Sequence, residues 1–204
     1  MKKTIGTLKV LMGFTGSIVL CSSVMALSNF PTEIFDATYK YINPGLGDSS
    51  MRMISDGKGH MRHEMTANGS KNVAILDYPA QTMITIMDAQ HLAMKMPMKT
   101  NSTKITDEAS AKRANAKSLG AKVMDGHPCH GYETKDGDTV SQVWIGDDIH
   151  YMVHSEVNTP SGKIVMALKS WSNAAPTASL FQIPTGYKVM EMPQLGMAES
   201  KMQR

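Results

Sequence analysis

The 204-residue chain carries 21 Lys and Arg against 18 Asp and Glu, giving a formal net charge of +3 and a pI near 8.8. Residues 1–26 hold Lys2, Lys3 and Lys9 and no acid, so the 178 residues that follow balance at 18 basic and 18 acidic. That neutrality removes the electrostatic footprint of a nucleic-acid or anionic-membrane binder, and 178 residues suffice for one domain whose core needs no disulfide staples.

At the N-terminus the three lysines precede an apolar run over 10–20, and small residues end in Val24-Met25-Ala26. This is the pattern of a secretory signal peptide, with cleavage expected after Ala26 and export to the periplasm. The run falls short of the ~20 residues that a spanning helix needs, so no transmembrane segment is expected in the mature chain. Cys21 follows an apolar run as a lipidated cysteine would, but Leu20 stands where a small residue belongs. After cleavage Cys129 is left without an intrachain disulfide partner.

Residues 27–34 read as a flexible start, and 35–42 (FDATYKYI) as a first strand with Phe35, Ala37, Tyr39 and Tyr41 on one face. Asn43-Pro44-Gly45-Leu46-Gly47-Asp48 breaks it. A meander follows, with strands predicted over 50–55, 60–65, 72–77, 81–87 and 91–96, separated by short polar or Gly/Pro turns. Met51, Met53 and Ser55 share a face, and Leu92, Met94 and Met96 oppose His91, Ala93 and Lys95.

Residues 101–119 are Ala- and charge-rich, with acids first, bases later and Gly120 beyond. They read as a short polar helix over 107–119 or a flap, with a solvated linker as the alternative. Strands are predicted again over 121–124, 129–134, 140–145, 149–156 and 164–172, joined by Asp-Gly and Ser-Gly turns. Leu180, Phe181 and Ile183 are expected to tuck under the sheet edge, and 193–204 to be a disordered tail.

The ordered set Arg62-His63-Glu64-Met65, Ala74-Ile75-Leu76-Asp77, His91-Leu92-Ala93-Met94-Lys95-Met96-Pro97, the run 120–129 ending in Asp125-Gly126-His127-Pro128-Cys129, Val143-Trp144-Ile145, and the run 180–188 beginning Leu180-Phe181-Gln182-Ile183-Pro184 resembles a family of bacterial periplasmic domains of unknown function similar to the LolA/LolB lipoprotein carriers. The resemblance spans 35–192. It implies a mainly β (α+β) fold: a single strongly curved antiparallel sheet forming an unclosed barrel, with one or two short covering helices over an apolar concavity. It implies no catalytic residues.

Phosphate loops, the G-x-S-x-G elbow and H-E-x-x-H are missing from the sequence, so no enzyme is expected. The expected function is to hold an apolar ligand, a lipid or lipidated partner, in a cavity lined by Tyr39, Met53, Ile84, Met94, Met96 and Trp144. No cofactor is expected on this reading. A rival comes from composition: sixteen of the nineteen methionines lie beyond residue 26, several beside histidines. Thioether and imidazole suit copper, and Met94 and Met96 together with His150, Met152 and His154 are the candidate ligands of a copper-binding protein. Methionines filling an irregular apolar concavity explain the same composition, and a structural envelope protein without ligand is a third reading. His127-Pro128-Cys129-His130 suggests a metal site or activated thiolate, set against a buried cysteine at the start of a strand. Asp147 and Asp148 read as solvated turn residues, and Arg62 and Glu64 as a solvated face or a rim salt bridge. Oligomeric state is left open by the sequence.

Overall fold

A computed structural model describes residues 31–45, 47–98 and 105–192. The expected leader and C-terminal tail, and the start of the 101–119 segment, lie outside these residues. What is described is mostly β: twelve strands in one open sheet, in the order β12-β6-β5-β4-β3-β2-β1-β11-β10-β9-β8-β7. Eleven of the strands form antiparallel hairpin ladders or the β1–β11 closure, and β12 alone runs parallel to its neighbour.

β1 (Ile34–Asn43) sits near the centre of the sheet. On one side it pairs with β2 (Gly47–Asp56), which leads through β3 (His60–Ala67), β4 (Ser70–Asp77), β5 (Thr82–Met87) and β6 (Leu92–Pro97). The turns carry the chemistry that reverses a chain. Between β2 and β3, the Asp56 carboxylate accepts from the amides of Lys58 and His60, and Gly57 takes φ +68° with no room for a Cβ beside the Thr32 carbonyl. On the other side β1 pairs with β11 (Gly162–Ser172), which leads back through β10 (Met152–Thr159), β9 (Thr139–Gly146) and β8 (His127–Asp136) to β7 (Lys117–Met124).

The sheet bends strongly without closing into a barrel. The Tyr39 hydroxyl on β1 donates to the Met152 carbonyl on β10, skipping β11, and Phe35 stacks on Trp171 at 4.8 Å and meets Tyr151 at 4.4 Å. Residues from both wings therefore meet in one core of Phe35, Ala37, Tyr39, Met53, Met61, Cys129, Trp144, Val153 and Leu168. Burial pushes the phenols of Tyr39 and Tyr151 well up from their usual value, with each raised further by a neighbouring tyrosine.

Three sequence expectations are corrected. The predicted helix over 107–119 is one short helix, α1 (Glu108–Arg113), capped by Asp107 and Ser110 in a reciprocal box. Residues 117–120, including Leu119, belong to β7, because an Ala/Lys-rich composition does not separate a polar helix from a polar edge strand. α1 packs Ala111 against Tyr132 and Ile145, so it covers β8 and β9. The strand expected from 149 starts at Met152, with 149–151 in a turn. Beyond β11 the chain forms a 3-10 turn (Ala178–Phe181) and then β12 (Lys188–Glu191), a strand for which no expectation is drawn.

Candidate functional site

Directly opposed residues of an antiparallel pair share a face, so register can be followed across β1–β6. One row runs Ala37, Met53, His63, Ala74, Thr85, Met94, and the next runs Phe35, Ser55, Met61, Leu76, Met83, Met96. Tyr39, Met51, Met65 and Asn72 form a third. Every methionine of β2–β6 therefore lies on one face: Met51, Met53, Met61, Met65, Met83, Met87, Met94 and Met96. The valine and isoleucines of β1–β6, by contrast, all lie on the reverse: Ile34, Ile42, Ile54, Val73, Ile75, Ile84 and Ile86.

The two faces are covered differently. On the reverse, Val73, Ile75, Ile86 and Ala93 are sealed by Phe181, Ile183 and Tyr187 of the C-terminal segment. That segment is tied down by the Tyr187 hydroxyl donating to Asp88 at 2.6 Å and by Arg62, whose guanidinium donates to the Leu180 carbonyl at 3.1 Å. On the methionine face, Met53 and Met61 are buried in the core near β1, while Met65, Met83, Met87, Met94 and Met96 stay half-buried. The face thus grades from closed core to accessible apolar surface toward β6.

The six predicted lining residues separate accordingly. Tyr39, Met53 and Trp144 meet in the central core, and Met94 and Met96 lie further along the same face as Tyr39 and Met53. Ile84 is corrected: it stands opposite Ile75, on the reverse, packed with the valine–isoleucine cluster. Met65, Met83 and Met87 are not among the predicted lining residues, although counting outward from the 56–60 turn pairs Met51 with Met65 and points to the first of them. Trp144 lies flat on Gly131, where a Cβ would come within 2.7 Å of its ring, and the Lys122 ammonium sits 5.5 Å from the ring centroid.

Of the candidate copper ligands, His150, Met152 and His154 do not come together. His150 falls in the turn before β10, and a register shift between Met152 and His154 sets them against the consecutive residues Ile145 and Trp144, so they leave opposite faces. Met152 packs with Tyr132 and Ile145, and His154 lies 3.3 Å from Glu156. Among the described residues no group of three or more His, Cys, Asp or Glu is placed to hold an ion.

Cys129 is buried near the start of β8, its thiol donating to the His127 carbonyl, and burial pushes its pKa up. It has the character of a core residue rather than a nucleophile. Its neighbours pair elsewhere: His127 with Asp148 at 2.8 Å and His130 with Asp147 at 2.7 Å, so the turn acids are not merely solvated.

The Arg62–Glu64 pair is likewise no rim contact. Glu64 is buried, receives Arg62 at 2.7 Å and Lys71 at 3.0 Å, and lies 3.6 Å from Arg52, which also holds Asp36 at 2.8 Å. Burial opposes its charge, but the hydrogen bonds and charges of Arg62 and Lys71 outweigh burial and hold its carboxyl below the usual value.

The described residues thus form an open, bent sheet with one partly uncovered apolar face. The model of a domain of unknown function, DUF4412, matches residues 39–153, more than half of the chain, and the chain belongs to that family. No curated protein matches it. Among solved structures it is similar to an uncharacterized conserved protein from Thermus thermophilus, at 10% identity and a TM-score of 0.61 over 80% of this chain and 93% of that one. It is also similar to MucB, at 14% identity and 0.50 over 77% of this chain and 59% of that one, so it spans about three fifths of MucB. A LolA superfamily protein from Nitrosomonas europaea shares 9% identity, at 0.36 over 76% and 94% of the two chains. No helix among the described residues is long and apolar enough to cross a membrane.

Proposed function

We propose that this is a non-enzymatic binding protein of the periplasm that holds an apolar ligand, the acyl chain of a lipid or lipidated protein, on the methionine face of its sheet. The observation that carries the reading is the segregation of side chains across β1–β6. Stiff valine and isoleucine occupy the opposite face, which the chain covers over β4–β6 with its own C-terminal segment. Flexible, polarizable methionine occupies the face left half-covered, where an adaptable lining suits chains of varied shape.

Within that reading, Met65, Met83, Met94 and Met96 contact the ligand, and Tyr39, Met53 and Trp144 form the packed floor. Native mass spectrometry of protein purified from a periplasmic extract is the test, followed by titration of the delipidated protein with a fluorescent fatty acid. A co-purifying mass in the lipid range is expected, and Met94→Glu with Met96→Glu should weaken the probe at least tenfold. Absence of any lipid adduct, with the probe binding the double variant as well as the parent, would overturn the proposal.

A further inference from the structure

The register also brings together a set of soft ligands, two of which, Met53 and Met65, lie on the face assigned to the apolar ligand. His63 stands directly opposite Met53, and its strand neighbour Met65 stands directly opposite Met51. Opposed side chains in such a ladder have Cβ atoms about 4.5–5.5 Å apart, with diagonal neighbours at roughly 7–8 Å. A three-bond thioether arm spans either distance. On its far side His63 is flanked by Ala74, and Met53 by Ala37, so small side chains bracket the group and leave it room.

Position on the sheet suits an ion that must enter from solvent. Met51, His63 and Met65 are half-buried, Met53 beside them is buried, and the Nε2 atom of His63 is shielded from water. Among the described residues, the ladder neighbours of His63 on this face are methionine, serine, asparagine, alanine and leucine, none of them a carboxylate. Hard divalent ions want oxygen, and zinc wants thiolate, several imidazoles or carboxylate. Neutral thioethers with one imidazole match a soft monovalent ion.

We propose that His63, with Met51, Met53 and Met65, forms a Cu(I) site on the β2–β3 hairpin. It shares the methionine face but does not depend on acyl binding there. The ion is bound without change of oxidation state. Thioethers carry no proton to lose, so three of the four donors bind the ion without releasing one.

The test is an anaerobic titration in which the purified protein competes with bicinchoninate for Cu(I). One ion per chain should leave the chelator. Met53→Leu with Met65→Leu conserves volume and should lower the affinity at least tenfold, whereas Met94→Leu with Met96→Leu should leave it unchanged. Both variants keep the cysteines, so an ion held by thiol would survive the first pair unaltered and sink the proposal. With Ag(I) as a stand-in and methyl-labelled methionine, the NMR signals of Met51, Met53 and Met65 should move while those of Met94 and Met96 stay. Failure to withdraw Cu(I), or shifts confined to other methionines, would overturn the site. Cu(I) titration of the Met94→Glu, Met96→Glu protein separates the two readings, because that pair should lose the fatty acid and keep the ion.

Discussion

Glu64 is a carboxylate on a β-strand, nearly sealed from water, and survives there because three cations converge on it. Neutralising it strands Arg62 and Lys71 beside a group that no longer compensates them, so Glu64→Gln should cost about 1–3 kcal/mol in urea denaturation at neutral pH. The sign of its pH dependence follows from the lowered folded-state pKa. The unfolded carboxyl titrates near 4.5, so the stabilisation is fully present above that pH and is lost as pH falls through the lower folded value. The gap between parent and variant should therefore close in acid, and a gap that widened there would contradict the assigned charge state. Gly131 is the second residue whose neighbourhood dictates its identity. A methyl group at that position would meet the Trp144 ring at 2.7 Å, and since the contact is with a packed indole, Gly131→Ala should destabilise by roughly 1–3 kcal/mol. Trp144 emission should shift in the folded variant, and an unchanged spectrum with unchanged stability would refute the stacking.

Among the elements, the C-terminal segment converts an exposed apolar face into core. Val73, Ile75, Ile86 and Ala93 are each almost fully buried, yet what covers them is Phe181, Ile183 and Tyr187 rather than a second sheet. Truncation after Ser172 should leave the β1–β11 ladder intact, expose that cluster and raise binding of a hydrophobic dye severalfold, with a lowered urea midpoint. Dye binding equal to that of the parent would mean that something else covers the cluster. The same element shows what the sequence can and cannot disclose. The meander strands are legible because their apolar period of two is bounded by Gly, Pro, Asn and Asp turns, and the tuck of Phe181 and Ile183 because an apolar cluster in a Pro-rich tail needs cover. β12 is not, since four residues that pair parallel with β6, nearly a hundred positions earlier, leave no local signal. The facing of Ile84 escapes for a related reason: it emerges only when register is carried through Ile75. An ideal period of two puts His154 and Met152 on one face, and a bulge breaks that period. The burial of Glu64 is invisible in sequence because its Arg52 and Lys71 neighbours come from other strands.

Across the whole molecule, the order of the sheet sets how it folds and where it opens. Hairpin ladders build each wing locally, but β1 is completed only when β11 arrives, joining Asp36 to Ser172 across almost the entire described chain. Such a non-local closure places the domain among slow folders, on the millisecond-to-second scale or longer. It also concentrates stability at the centre. Phe35, Ala37 and Tyr39 are completely buried, and β1 is bonded along both edges. β7 has one hydrogen-bonded neighbour and a mostly exposed face, and β12 is four residues long and exposed throughout. Native-state hydrogen exchange should therefore find its slowest amides in β1, β2 and β11, near the global unfolding free energy, and its fastest strand amides in β12 and β7. Adding a saturating fatty acid should slow exchange further in β5 and β6, because ligand bound to the folded state must leave before those strands open, and a hundredfold excess over Kd stabilises by about 2.7 kcal/mol. Protection that instead rose in β7–β9 would move the ligand to the opposite wing, and protection uniform across the sheet would show that its two wings unfold as one unit.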